Sequence, residues 1–294
     1  MPTPSPELDA LLRRLDVGET PGTLEIMDFG RRPQALDELL DFMRHSDPIE
    51  DAVRRRALLP VIVELGRVLV PAHEDVPEHP GPIVTEPKVV HLLVERSYSK
   101  DGELRRGAFT TLADLVPAAS LAPYPDTLHT VVQEYPATDG ALLLLGKSSK
   151  PAEALALLQS TPALASSSSD DAIMVRARLG EQVAEDSLLQ AYRDADDAKQ
   201  REAVAWRLGY AGTDRLVDLL ADEIRSPETY VWNMGLRRSL RVHVIEGLHQ
   251  AFPTEPIFWK SGTGWTCRMH IRSRRFDGLW AGQVGRGVAR SAAT

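Results

Sequence analysis

His73, Glu74, Asp75, Glu78 and His79 lie within one short stretch, and all are residue types that can ligate zinc. Their spacing fits no compact metal pattern, and Pro71, Pro77 and Pro80 hold the backbone extended. A solvated acidic loop without metal is the expectation. Gly140 to Ser148 (GALLLLGKS) has the outline of a phosphate-binding loop. It is one residue too long, however, and leucines fill what should be a flexible cradle of backbone N–H groups. No strand precedes it, so a buried helix ending at Gly146 is expected instead. Nucleophile chemistry is equally thin. There is no Gly-x-Ser-x-Gly elbow, and Cys267 has only His270 nearby. If both sit on a strand, their side chains point to opposite faces. No catalytic residue and no cofactor is therefore assigned.

A phrase that repeats through the middle of the chain shows what holds these residues. An acidic turn is followed by a short apolar-periodic helix that ends in Leu-Gly. Asp101, Arg105 and Leu112 share their spacing with Asp197, Arg201 and Leu208. Val175–Gly180 (VRARLG) is echoed by Val204–Gly209 (VAWRLG), while Gly66 and Gly146 close further apolar runs. Self-similarity at such intervals marks helical pairs, each burying its apolar face against its neighbours.

The pattern predicts six antiparallel pairs. First members fall near 33–45, 88–98, 125–135, 151–160, 186–194 and 213–225. Second members fall near 49–66, 103–116, 138–146, 170–180, 198–209 and 228–241. Asp47, Asp101, Asp139, Asp170 and Asp197 stand at or just before the start of five second helices, where a carboxylate can accept from orphan N–H groups. The glycines after Leu65, Leu179 and Leu208 stand where helices are expected to stop.

Residues 1–32 read as an N-terminal capping helix and loop. Ser5-Pro6-Glu7 starts that helix, and Leu8, Leu11, Leu12 and Leu15 form its stripe. Residues 33–252 hold the repeats, interrupted by a proline-rich loop at 71–87 and a polar turn at 165–171. Residues 253–294 form a basic, aromatic extension, read as a small hairpin or a partly ordered tail. Asp277-Gly278 would be the turn of that hairpin.

Composition sets the remaining bounds. The chain has 294 residues, 43% hydrophobic and 26% charged, with a net charge of −8. From Lys260 onward there are seven basic residues against one acid, which leaves about −14 on the first 259 residues. One cysteine excludes an internal disulfide and fits a reducing compartment. No secretory start and no membrane-length apolar run is present, so the cytoplasm is the expected location.

Helix pairs of this length, with an Asp turn, Arg four residues later and a closing Leu-Gly, resemble HEAT repeats. The short bacterial form, also found in phycobilisome-lyase-type proteins, is the nearest likeness. Asp197 to Gly209 (DAKQREAVAWRLG) and Asp101 to Arg105 (DGELR) carry it best. The resemblance implies an all-α, right-handed solenoid (an α-α superhelix) of about six pairs, whose second helices line a concave groove.

Over the spans above, the first helices carry 13 acids and 6 bases, and the second helices 10 acids and 13 bases. The groove would then be the arginine-bearing side. Trp206, Arg207, Trp232, Arg237 and Arg238 would lie in adjacent units of it, and such side chains dominate binding hot spots. The competing reading is structural, with Arg105 and Arg201 paired to a turn Asp and Trp232 in the core.

The expected function is a non-enzymatic scaffold that holds a protein or peptide, preferably acidic, in the groove. A nucleic-acid-binding or DNA-repair protein on the same scaffold is the first alternative, opposed by the acidic body. A lyase or lyase accessory of the phycobilisome type is the second, by analogy alone.

Overall fold

A computed structural model describes residues 5–19, 21–68 and 83–213, together with four short strands further on. α1 (Pro6–Asp16) starts as its sequence requires: the Ser5 hydroxyl accepts from the Leu8 amide at 3.2 Å, and Pro6 takes the first helical position. Its four leucines are buried. α2 (Thr23–Gly30) stands where the sequence leads one to expect loop. The Glu25 carboxylate accepts from the Gly22 amide at 2.9 Å and fixes its start.

Three helix pairs come next. α3 (Ala35–His45) precedes α4 (Ala52–Leu65). A short antiparallel bridge joins β1 (Arg67–Val68) to β2 (Ile83–Val84). α5 (Pro87–Arg96) leads to α6 (Gly102–Asp114). After a one-turn helix, α7 (Ala118–Leu121), come α8 (Pro125–Glu134) and α9 (Ala141–Gly146). The loop expected over 71–87 is thus shorter on its C-terminal side, because Ile83–Val84 pairs and Pro87 opens α5. Residues 69–82, with His73 and His79, lie outside the described set.

Within each pair the two helices pack together. Second helices also pack in succession, α4 on α6 and α6 on α9, and α3 packs on α5. α1 and α2 cover α4. The core is aliphatic: Leu39, Leu58, Ile62, Leu92, Leu93, Phe109 and Leu112 are fully buried.

Burial decides α4 in spite of Pro60 in its interior. An internal proline costs about 3 kcal/mol, and the Arg56 carbonyl loses its donor. Each buried Leu, Ile or Val offsets about 1.5–3 kcal/mol, and Leu58, Leu59, Val61, Ile62 and Val63 are all buried.

The chain continues through α10 (Pro151–Ser160), the short α11 (Pro162–Ala165), α12 (Asp170–Arg178), α13 (Gln182–Asp194) and α14 (Ala198–Ala211). α12, α13 and α14 each pack on the other two. Two compact units result. One comprises Met1–Val70, Gly81–Lys150 and Leu157–Ala165; the other comprises Pro71–Pro80, Pro151–Ala156 and Ser166–Thr294. The described residues are overwhelmingly helical, as an all-α chain requires. None of their helices is long and apolar enough to cross a membrane.

Two expectations need correction. The last second helix, expected over 228–241, is instead interrupted by an antiparallel pair, β3 (Thr229–Val231) with β4 (Arg237–Ser239). Thr229, Tyr230 and Val231 are strand formers, and local β-preference prevails over the extrapolated repeat. Residues 214–225, the rest of the last expected pair's first member, lie outside the described set. Gly209 does not end α14. The helix runs on through the buried Tyr210 and Ala211 to Gly212, which takes the left-handed conformation at φ +52°. The glycine after Leu65 ends its helix with right-handed geometry, at φ −85°. Further on, β5 (Ile257–Phe258) pairs with β6 (Arg268–Met269); the expected turn at Asp277-Gly278 lies outside the described residues.

Candidate interaction site

Of the five acidic starts, two cap a helix with their own side chains. Asp101 accepts from the Glu103 and Leu104 amides at 3.0 and 3.2 Å, and Asp197 from the Gln200 amide at 2.8 Å. Asp47 instead accepts from Ile49 and Glu50 in the turn before α4. Ser169 replaces Asp170 as the cap of α12. Asp101 does not pair with Arg105. It pairs with Arg56 of the preceding second helix at 2.7 Å, and Arg56 also reaches Glu103 at 2.7 Å. Partial burial pushes the Asp101 carboxyl up, but the Arg56 hydrogen bond and the two cap amides outweigh it and hold it below the usual range.

Basic side chains of the second helices serve carbonyl groups at helix ends. Arg105 donates to the Ser99 carbonyl at 2.6 Å, with its guanidinium 4.2 Å from the Tyr135 ring centre. Lys147, only 2% exposed, donates to the carbonyls of Leu112, Ala113 and Val116 at the end of α6. The apparent phosphate-loop lysine is thus a buried helix cap. The preceding Leu144, Leu145 and Gly146 are buried in α9, as a leucine-filled run ending in glycine should be.

Trp206 and Arg207 both lie on α14. Trp206 is partly buried and stacks on Tyr210, with ring centres 5.7 Å apart at 24°. Arg207 reaches Asp170, the first residue of α12, at 2.5 Å. Arg178 of α12 donates to the Tyr210 carbonyl at 2.8 Å and lies over its ring. Burial pushes the Arg178 guanidinium below its usual range, with Tyr210 opposing. Arg207 is therefore tied to α12, whereas the stacking partner of Trp206 is on its own helix. Arg237 and Arg238 are consecutive residues of β4, opposite Val231 and Tyr230. Trp232, Cys267 and His270 lie outside the described residues.

The structure adds a site the sequence did not show. Between α4 and α6, with α2 alongside, lies a cleft of about 270 Å³. Ile26, Leu59, Pro60 and Val63 form its apolar wall, and Arg67 and Glu64, paired at 2.6 Å, stand at one side. Gly107 opens it, since a Cβ there would lie 3.1 Å from a Leu59 methyl group. A second cleft, of about 230 Å³, lies on the other side of α2 against α1. Ile26 lines both, while Leu24 and Met27 on α2 are 78% and 55% exposed. Such a cleft can take an apolar side chain beside a polar contact. No motif points to it; Pro60 within an otherwise helical stretch is the only hint in the residues.

Comparison with known protein families and with characterised proteins gives no match. The likeness to HEAT repeats therefore rests on the residues quoted above.

Proposed function

We propose that the chain is a non-enzymatic scaffold of HEAT-like solenoid type that binds a protein or peptide partner along its second helices. The observation that carries this reading is the α4–α6 cleft, which lies between two successive second helices. An extended segment with one apolar anchor and acidic flanks suits it, the anchor entering between Leu59 and Thr111 and a carboxylate meeting Arg67. The described bases of the second helices are largely bonded to the protein's own groups, so the apolar anchor carries the affinity. Arg207 and Trp206 stand on α14, in the other compact unit, and do not line this cleft. The lining of the cleft does not favour the nucleic-acid or lyase readings over this one.

Thr111 lines the cleft and its hydroxyl donates to the Gly107 carbonyl at 2.8 Å, so a larger side chain at this position fills the space. Panning a random peptide library on the wild-type chain should enrich sequences with one large apolar residue near acids. Thr111→Phe, still helical by circular dichroism, should lose them at least tenfold. Equal retention by the variant would remove the cleft from the proposal.

A further inference from the structure

Arg44, Arg55 and Arg96 gather at the end of α3, and none forms an ion pair among the described residues. The chain's own repetition shows what is unusual here. In the α5–α6 pair, Arg105 lies four residues past the capping Asp101, donates to the Ser99 carbonyl in the turn after its partner helix, and meets the Tyr135 ring just past α8. Arg55 lies the same four residues past Asp51 and donates to the Met43 carbonyl at 3.2 Å. What meets Arg55 at the end of the next first helix is not a ring but a second cation. Arg96, the last residue of α5, donates to the same Met43 oxygen at 2.9 Å.

Two guanidinium groups thus share one neutral acceptor. Arg55 is 6% exposed, and the Nε atoms of both arginines are buried without an acceptor. Among the described residues, each of the two makes only its bond to Met43. The end of α3 supplies about half an elementary negative charge, too little for two full positive ones. Asp47 and Glu95 lie close enough to be felt, but Asp47 is occupied by the Ile49 and Glu50 amides and Glu95 faces His91 at 3.4 Å. Burial first, then the charge of Arg55, and to a lesser degree that of Arg44, lower the Arg96 guanidinium against the pull of Glu95.

We propose that Arg55 and Arg96, with the exposed Arg44 nearby, bind a divalent oxyanion of the phosphate class. Guanidinium forks match phosphate oxygens in geometry, and a dianion supplies the charge this cluster lacks. The phosphate can come free from solution or as an ester on another molecule. This site stands apart from the α4–α6 cleft and holds whether or not the cleft takes a peptide.

Isothermal titration calorimetry on the full chain, at fixed ionic strength in chloride, should show saturable one-site binding of inorganic phosphate or O-phosphoserine. Stronger binding of O-phosphoserine assigns the site to an ester, and equal or weaker binding to free phosphate; both support it. Arg96→Tyr restores the ring that its own repeat carries at Tyr135, so the variant should fold, gain thermal stability without anion, and bind at least tenfold more weakly. Arg96→Gln should show the same loss without the added ring. Thr111→Phe should bind as wild type, which separates this test from that of the cleft. No saturable binding of either probe, or unchanged affinity in both Arg96 variants, overturns the proposal.

Discussion

Lys147 shows how far a single side chain can determine a local arrangement. Its ammonium holds three carbonyls at the end of α6 away from water, and each unmet buried acceptor costs about 1–3 kcal/mol. Lys147→Met keeps the stem and removes the donors, so urea denaturation should show a loss of about 3 kcal/mol or more. Asp114 ends the same helix, and there the sign reverses. Its side chain is exposed, yet partial desolvation among its neighbours still raises its carboxyl above the usual range, with Lys147 opposing. A raised acid costs stability once the pH exceeds its unfolded value, because the folded chain resists ionising it. Asp114→Asn should therefore raise the urea midpoint at pH 7 and leave it unchanged at pH 3. Gly140 is a third sensitive position. At φ +88° an L side chain is strained, and a Cβ would lie 2.9 Å from that of Ala113 and 3.2 Å from the Phe109 carbonyl. Gly140→Ala should cost about 1–3 kcal/mol.

At the scale of elements, carboxylates at helix ends and in turns, with the arginines and amides that hold them, set the acid response. Asp16 and Asp47 are held below the usual range, Asp16 chiefly by Arg54 and Asp47 chiefly by the Glu50 amide; Asp101 is lowered once the Arg56 bond outweighs its burial. Their contribution is complete above the unfolded carboxylate value, about 3.9, and is lost as pH falls through the lower folded values. The urea midpoint should accordingly drop between pH 5 and pH 2, and Asp101→Asn should flatten that drop. An unchanged slope would show that Arg56 holds the α4–α6 contact through packing alone.

The same elements show what the residues disclosed. α1, α3, α5, α6, α8 and α12 could be read because apolar periodicity marked each of them. α2 escaped because its eight residues expose Leu24 and Met27, so no clean stripe marks it. Gly209 misled because a Leu-Gly pair ends a helix only when the next residues are polar, and Tyr210 and Ala211 are buried. The partners of Arg56, Arg105 and Lys147 were beyond reach, since periodicity tells which face is buried but not which carbonyl a long side chain will find. The cleft depends on Gly107 meeting Leu59 across two helices, a pairing that no local spacing encodes.

For the whole molecule, the division into two compact units has a spectroscopic consequence. Trp206, the one tryptophan among the described residues, stands on α14 in the unit that contains Ser166–Thr294, and the sequence has no tryptophan before it. Tryptophan fluorescence therefore reports on that unit, whereas helical circular dichroism also reports α1 to α9. Each unit has its own buried aliphatic set, Leu39 to Leu145 in one and Met174 to Ala211 in the other. Agreement of different probes is the test of a single cooperative transition, and separate cores need not satisfy it. Gly140→Ala weakens only the first unit. In urea it should shift the dichroism curve to lower denaturant and leave the fluorescence midpoint of the wild type in place. If both curves moved together by the same amount, the two cores would be one cooperative structure, and a perturbation in α9 would be felt at Trp206.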